Sequence, residues 1–274
     1  MRGRSRSRLK PLSPVVAGLV PATPIIVALC LNGRGGRNKP GPGVPFNAIE
    51  IRSKPPHPPT NLRKDYMLKI WGRNTSSNVQ KAMFAIGELK LAHERIDIGG
   101  AFGKNREPAY LAMNPNGLVP TLEEDDGFLL WESNSIIRYL AARHGAGTLE
   151  PSDPHARALA NKWMDWQLSV LGPALTPVFW GLVRTPAEQR DHKAIADGKV
   201  KTTAAVKILD EQFAKTPYTA GDMFSMGDIP IAIMSYRYRE LVPERPAFPN
   251  FERWYAAIAS RQAFRDHVSS VPIT

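Results

Sequence analysis

Cysteine is almost absent from this chain. The only one among 274 residues is Cys30, so residues 67–274, the body of the chain, contain none. This absence excludes a disulfide within the body, a metal site built on its cysteines and a catalytic thiol that it supplies. A cysteine-free body is compatible with a reducing compartment, and we expect the protein to be cytoplasmic.

The body also lacks the patterns of several common sites. It has no phosphate-binding loop, no dinucleotide-binding fingerprint and no Ser-His-Asp order. Its histidines do not have the short spacing of metal ligands, so we expect no metal site. They are His93, His144, His155, His192 and His267.

Acidic residues are scarce in one part of the chain only. The formal net charge is +11, and residues 1–66 hold twelve basic side chains against two acidic ones. The body is therefore close to neutral, and an electrostatic argument for nucleic acid applies only to the first 66 residues. We expect no nucleic-acid partner.

Residues 1–66 form a basic, proline-rich tail that we expect to be disordered. Its apolar run, Val15 to Leu31, is short for a membrane span and contains Pro21 and Pro24, so we expect no membrane segment. Met67 stands directly before the first predicted strand, so we expect translation to begin there and the tail to be missing from the native protein. An untargeted tail and an Arg/Ser-rich targeting leader are the alternatives.

The stretch from Asn114 to Tyr139, NPNGLVPTLEEDDGFLLWESNSIIRY, organises the body. Its two short apolar runs, Thr121-Leu122 and Phe128 to Trp131, predict a β-hairpin. Apolar residues at helical spacing follow Ser133, and Gly145 is placed to end that helix. A hairpin that leads directly into a helix is therefore predicted.

Upstream of the hairpin, the pattern predicts a β-α-β unit and a short helix. The elements are a strand at Leu68 to Trp71, a helix at Asn78 to Lys90, a strand at His93 to Ile98 and a helix at Pro108 to Met113. With the hairpin and its helix, the order is β-α-β-α-β-β-α. We therefore predict a thioredoxin-like α/β domain over residues 67–149.

Residues 150–274 are predicted to form an all-helical domain. A long apolar helix through Trp163 and Leu171 is expected to be interrupted near Pro173 and Pro177. Ser225 to Asp228 reads as a capping box. The other helices are expected at Glu188 to Phe213, at Ile229 to Tyr238 and at Phe251 to Ala259.

Four motifs occur in a fixed order: WGRNTSSNVQK, NPNGLVPTL, WESNSIIRYL and FSMGDIPIA. Together they identify the body as resembling a cytosolic glutathione transferase, of the bacterial Ser/Asn type that includes theta- and nu-like enzymes. The resemblance implies a homodimeric detoxification enzyme that conjugates glutathione to small hydrophobic electrophiles, or reduces a peroxide or a disulfide with it. It also implies that Asp228 in the capping box stabilises the fold and does not act in catalysis.

The resemblance assigns glutathione-binding roles to Val119, Pro120, Glu132 and Ser133. An extended peptide pairs with a free strand edge through its main chain, and Val119 is expected to be extended because Pro120 follows it. In the family this proline is cis. Glu132 would bind the γ-glutamyl ammonium group. Ser133, at a helix N-terminus, would bind the neighbouring carboxylate.

The thiol of glutathione must ionise before it attacks, so the enzyme must supply a hydrogen-bond donor to sulfur. By resemblance we assign that role to Ser76, with Asn78 in support. Thr75 and Ser77 are rivals one residue away from Ser76. An alternative is that Ser76 and Asn78 only cap the helix.

Two parts of the site are left open by the sequence. Lys104 and Arg106 are both candidates for binding the glycine carboxylate of glutathione. The acceptor substrate has four candidate wall residues, namely Trp163, Trp166, Phe179 and Trp180. The electrophile itself cannot be read from the sequence, and a non-catalytic glutathione-binding protein of the same fold is the alternative function.

Overall fold

The computed structural model describes residues 67–274, so the predictions on the tail lie outside the described residues. The first part of this region is an α/β layer. Its strands are β1 (Leu68–Trp71), β2 (His93–Ile96), β3 (Thr121–Glu123) and β4 (Leu129–Trp131). Its helices are α1 (Ser77–Glu88), α2 (Pro108–Met113) and α3 (Ser133–His144).

The four strands form one mixed sheet in the order β2-β1-β3-β4. β1 and β2 are parallel, because α1 carries the chain back between them, whereas β3 is antiparallel to both β1 and β4. The predicted thioredoxin-like order is confirmed. β2 ends two residues before the predicted Ile98, and β4 starts one residue after Phe128.

The middle of helix α1 is covered on all sides. Every residue from Val79 to Ile86 is buried, including two polar side chains. The helix packs against α3, and also against three segments of the helical part of the chain. It therefore holds the α/β layer against the rest of the structure.

The remainder of the described chain is helical. Its helices are α4 (Pro154–Trp166), α5 (Gly172–Phe179), α6 (His192–Phe213), α7 (Asp228–Leu241), α8 (Pro249–Ala259) and α9 (Gln262–Phe264). α6 packs against α5 and α8, while α7 packs against α1, α4 and α5. The second long helix starts at His192, four residues after the predicted Glu188, because Asp191 caps it.

The predicted break near Pro173 and Pro177 is wrong. A π-turn at Gln167–Leu171 joins α4 to α5, and a second π-turn at Trp180–Arg184 extends α5, so that residues 154–184 form one continuous helix. A proline lacks the N–H that would bond to the preceding turn, and wider π-turns are a known way for a helix to adjust its backbone. Helix 154–184 thereby passes both prolines without ending.

Helix 154–184 is also the one helix in the described region that is long and apolar enough to cross a membrane. Buried core helices of proteins that cross no membrane meet the same criteria. Here α5 packs against α6 and α7, so part of its surface belongs to the core of the helical part.

The start of α7 is organised by Asp228, as the capping-box prediction requires. The fully buried carboxylate accepts hydrogen bonds from the N–H groups of Thr219 (2.9 Å) and Ser225 (3.0 Å). The indole N–H of Trp254 in α8 donates a third, at 3.0 Å. Burial raises the pKa of Asp228 to about 6, although these donors act to lower it. One side chain thus joins a loop, α7 and α8.

We expect Asp228→Ala to lower the free energy of unfolding by about 3 kcal/mol, because it leaves three buried donors without an acceptor. Urea denaturation at pH 7 measures this. Asp228→Asn keeps one acceptor oxygen and should have a smaller effect. The exposed neighbour Asp222 is the control, and an Asp222→Ala effect as large as that of Asp228→Ala would contradict this account.

Candidate functional site

A cleft of about 720 Å³ opens between the α/β layer and the helical part. The β1–α1 turn, the loop before β3, helix 154–184 and α7 line it. On the α/β side the lining residues include Arg73, Thr75, Ser76, Ser77, Asn78, Lys81, Asn105 and Val119. On the helical side they include Gln167, Leu168, Phe179, Trp180, Arg184, Met234 and Arg237.

Ser76 occupies the N-cap position of α1, with φ −75° and ψ 122°. Its hydroxyl makes no capping hydrogen bond, although a serine at this position commonly does. Capping alone therefore does not account for this side chain, and its hydroxyl remains available to the cleft. The thiol-donor role of Ser76 stays a prediction, as does the supporting role of Asn78.

Asn78 connects the β1–α1 turn to the start of α3. Its Oδ1 accepts a long hydrogen bond of 3.4 Å from the hydroxyl of Ser133. Ser133 is buried behind the cleft, whereas Glu132 is exposed beside it. The predicted residues Ser76, Asn78, Val119 and Ser133 are thus brought together, although Glu132 and Ser133 do not line the cleft itself.

The close approach of these segments depends on Gly72 at the end of β1. A Cβ at this position would lie 2.4 Å from Val79 Cγ2 and 3.2 Å from Val119 Cβ. Such distances are too short for carbon atoms in contact, so a side chain here would push α1 and the Val119 loop apart.

The Val119-Pro120 peptide bond is cis, as the resemblance implies. The main-chain N–H and C=O of Val119 make no hydrogen bond to any residue that the structure describes. The preceding carbonyl, that of Leu118, is instead fixed by Tyr110 (2.7 Å) and Asn114 (2.8 Å). These two hydrogen bonds fix the loop at Leu118, while the N–H and C=O of Val119 stay unpaired among the described residues.

Glu132 has an unusual backbone conformation, with φ +71° and ψ 108°. A positive φ is uncommon for a residue with a side chain, and such strain concentrates at functional sites. The conformation places Glu132 at the N-terminus of α3, where its charge acts on Lys81. The ligand role of Glu132 stays a prediction that this geometry favours.

The sequence-based interpretation missed Lys81, which is the most buried charged group of the cleft wall. It is 1% exposed, and its Nζ donates a 2.7 Å hydrogen bond to Gln167 Oε1 in the first π-turn. Burial lowers the pKa of Lys81 to about 7, while Glu132 raises it and Arg237 lowers it further. Its position three residues after Asn78, and so on the same face of α1, was the available signal.

Three arginines were also missed. Arg73 follows β1, Arg184 ends helix 154–184, and Arg237 lies in α7. Arg237 is 4% exposed and donates a 3.0 Å hydrogen bond to the carbonyl of Thr75, next to Ser76. Burial, together with the charges of Arg184 and Arg73, lowers the pKa of Arg237 to about 10. No local motif marks these residues, because they meet only in the folded chain.

Two of the four residues predicted to form the acceptor wall line the cleft, and two do not. Phe179 and Trp180 line the cleft, whereas Trp163 and Trp166 do not. Trp163 is a core residue that packs edge-to-face on Trp166. Aromatic residues at helical spacing are more often part of a core than of a ligand wall, and that applies to this pair.

The loop before α2 contributes a residue that was not predicted. Neither Lys104 nor Arg106 lines the cleft, whereas Asn105 between them does. Asn105 donates a 2.7 Å hydrogen bond to the carbonyl of Gly117, and Arg106 instead donates one to the carbonyl of Asn116.

Within residues 67–274, no group of histidine, cysteine or acidic side chains is arranged to hold a metal ion.

Comparison with known proteins gives a consistent result. The chain matches the family description "Glutathione S-transferase, N-terminal domain" over residues 75–143. It matches "Glutathione S-transferase, C-terminal domain" over residues 171–262. It is 43% identical to glutathione S-transferase GstB of Escherichia coli over 76% of this chain and 100% of that protein. The chain belongs to the glutathione S-transferase family.

Solved structures of this family agree with the fold. A theta-class glutathione S-transferase from Xanthomonas axonopodis pv. citri, solved with glutathione bound, is 43% identical, with a TM-score of 0.72. The match covers 76% of this chain and 99% of that one. Glutathione S-transferase 3 of Zea mays is 30% identical over 75% of this chain and 95% of its own length. The predicted family and the two-part fold are thereby confirmed.

Lys81 makes the stability of the protein depend measurably on pH. Its pKa is about 7 in the folded chain, against an ordinary value of 10.5, so the unfolded chain binds more protons between these values. Relative to Lys81→Met, the wild type should gain about 1 kcal/mol of stability per pH unit as the pH rises from about 7 to 10. Urea denaturation of both proteins across this range measures the difference.

Lys201→Met is the control, because Lys201 is exposed on α6. Its stability relative to the wild type should not change with pH over the same range. A constant difference between the wild type and Lys81→Met would contradict the lowered pKa of Lys81.

Proposed function

We propose that this protein is a glutathione transferase that activates the glutathione thiol and conjugates it to small electrophiles. The observation that carries the proposal is the arrangement of the cleft: the unengaged Ser76 hydroxyl at the start of α1 lies in the same wall as the unpaired main chain of Val119. Membership of the glutathione S-transferase family supports it.

Glutathione would bind across the top of the sheet. Its cysteinyl main chain pairs with the N–H and C=O of Val119, in the way that an extended peptide adds to the edge of a sheet. Pro120 fixes the backbone conformation that this pairing requires. The γ-glutamyl end reaches the N-terminus of α3, where Ser133 and the helix dipole favour its carboxylate. Glu132 binds its ammonium group by opposite charge.

The thiol then lies over the start of α1. A hydrogen bond from the Ser76 hydroxyl to sulfur favours the thiolate over the thiol, and the positive end of the α1 dipole acts in the same direction. Asn78, held by Ser133, supports this donor. The thiolate attacks the electrophilic carbon, a C–S bond forms, and the leaving group departs with its electron pair.

Three further properties belong to this proposal. The second substrate is a small electrophile bound against Phe179 and Trp180, and reduction of a peroxide or a glutathione disulfide is a secondary activity. The protein acts in detoxification in the cytoplasm, without a membrane or a nucleic-acid partner. Residues 67–149 and 150–274 are its two domains.

We also propose a homodimer. Several large apolar side chains of β4, its preceding turn and α4 are exposed in the single chain, namely Phe128, Leu129, Trp131 and Leu159. Apolar surface of this kind favours association with a second copy. Light scattering of the purified protein measures the mass.

A glutathione-binding protein without turnover remains the second candidate function, because the fold does not fix an activity. Capture on immobilised glutathione, followed by conjugation assays with a panel of aryl halides, activated alkenes and peroxides, separates the two. We expect capture together with turnover of at least one aryl halide. Capture without turnover across the panel would favour the second candidate.

Ser76→Ala should reduce kcat/KM for conjugation by about 10- to 100-fold, which corresponds to one hydrogen bond to a charged group. The pKa of bound glutathione should rise in parallel, as read from thiolate absorbance in the ultraviolet. Ser77→Ala and Thr75→Val are matched controls that should stay near the wild-type rate. If Ser76→Ala keeps that rate while Asn78→Ala loses it, the two roles are reversed.

A further inference from the structure

The cleft carries a concentration of positive charge that thiol activation does not require. Arg73, Arg184 and Arg237 all line the cleft, and the charge of Arg184 lowers the pKa of both other arginines. No aspartate or glutamate is among the lining residues of the described chain. None of the three arginines forms a salt bridge with any carboxylate in residues 67–274.

Arg237 is the strongest sign that this charge has a ligand. It is more than nine-tenths buried, yet its Nε has no hydrogen-bond partner among the described residues. Burying a cation without a counterion is costly, and leaving one of its donors unsatisfied adds to the cost. An anion in the cleft would offset both.

The position of the arginines indicates which anionic ligand they would bind. The guanidinium groups of Arg237 and Arg184 lie 4.7 Å and 5.6 Å from the centre of the Phe179 ring. Phe179 and Trp180 form the apolar wall that we assign to the second substrate. The γ-glutamyl carboxylate of glutathione is assigned elsewhere, at the N-terminus of α3, and its glycine carboxylate is expected at the loop before α2. Arg184 and Arg237 flank Phe179 and therefore lie where we place the electrophile.

We propose that the preferred electrophile carries a carboxylate on an aromatic frame, with Arg184, Arg73 and Arg237 binding the carboxylate and Phe179 with Trp180 packing on the ring. This inference rests on the proposed function and names its substrate class. In the reaction the glutathione thiolate adds to the ring carbon that bears a halide. The carbon–halogen bond then breaks, and the halide leaves with the electron pair. The thiol proton goes to solvent.

The test compares two probes of nearly the same shape, the charged 4-chloro-3-nitrobenzoate and the neutral 4-chloro-3-nitrobenzamide. Each kcat/KM is divided by the uncatalysed rate constant with glutathione, which removes the difference in intrinsic reactivity. We expect the corrected value for the benzoate to exceed that for the benzamide by about tenfold, the scale of a charge-assisted hydrogen bond. A ratio of one or less would overturn the proposal.

Variants locate the effect. Arg184→Gln should lower the benzoate-to-benzamide ratio about threefold, since its charge is exposed and screened. Arg73→Gln with Arg184→Gln should bring the ratio close to one. Lys201→Gln removes a surface charge outside the cleft and should leave the ratio unchanged. If the double variant slows both probes equally, the arginines act on glutathione or its thiolate instead, and the proposal is wrong.

A binding measurement separates this proposal from the proposed function. Calorimetric titration of the protein, saturated with S-methylglutathione, compares 3-nitrobenzoate with 3-nitrobenzamide, neither of which can react. Tighter binding of the benzoate by about tenfold supports the anion site even if no electrophile in the panel is turned over. Equal binding of the two compounds overturns it even if conjugation is fast.

Discussion

The burial of α1 between two layers is the constraint on which the rest of the structure depends. Its first turn supplies the cleft with Ser76 and Asn78, while its middle packs into the core of the α/β layer. Lys81 crosses to Gln167, and Arg237 reaches back to Thr75. The N-terminal end of α1 is therefore positioned by the helical part as much as by the sheet, which explains why neither layer alone would form the cleft.

The parts of this protein that the sequence predicts well are those defined within a few consecutive residues. The hairpin that enters α3 and the cap at Asp228 each carry their own local signal, whereas the cis form of Pro120 is implied by the family resemblance. The arginine cluster of the cleft carries no such signal, because Arg73 and Arg237 are 164 positions apart and meet only through packing. The break predicted at Pro173 is wrong for a related reason. A proline usually ends a helix, and the π-turn that lets this helix continue past Pro173 has no recognisable sequence pattern.

The two walls of the cleft follow different physical rules. The α/β wall offers main-chain groups and helix termini, whose positions are fixed by the fold and hardly change when side chains do. The helical wall offers side chains from helix 154–184 and α7, such as Phe179, Arg184 and Arg237. A change of Phe179 or Arg184 leaves the main-chain groups of the α/β wall in place, whereas Arg237 also holds the carbonyl of Thr75. One scaffold can thus keep a constant co-substrate while its acceptor varies.

The backbone of Glu132 illustrates how such a site limits its own stability. A left-handed conformation disfavours every residue except glycine by about 1 kcal/mol or more, yet glycine has no carboxylate to offer a ligand. A Glu132→Gly chain should therefore be more stable at this turn. The role proposed for Glu132, binding the γ-glutamyl ammonium group, would account for a side chain that stability alone disfavours here.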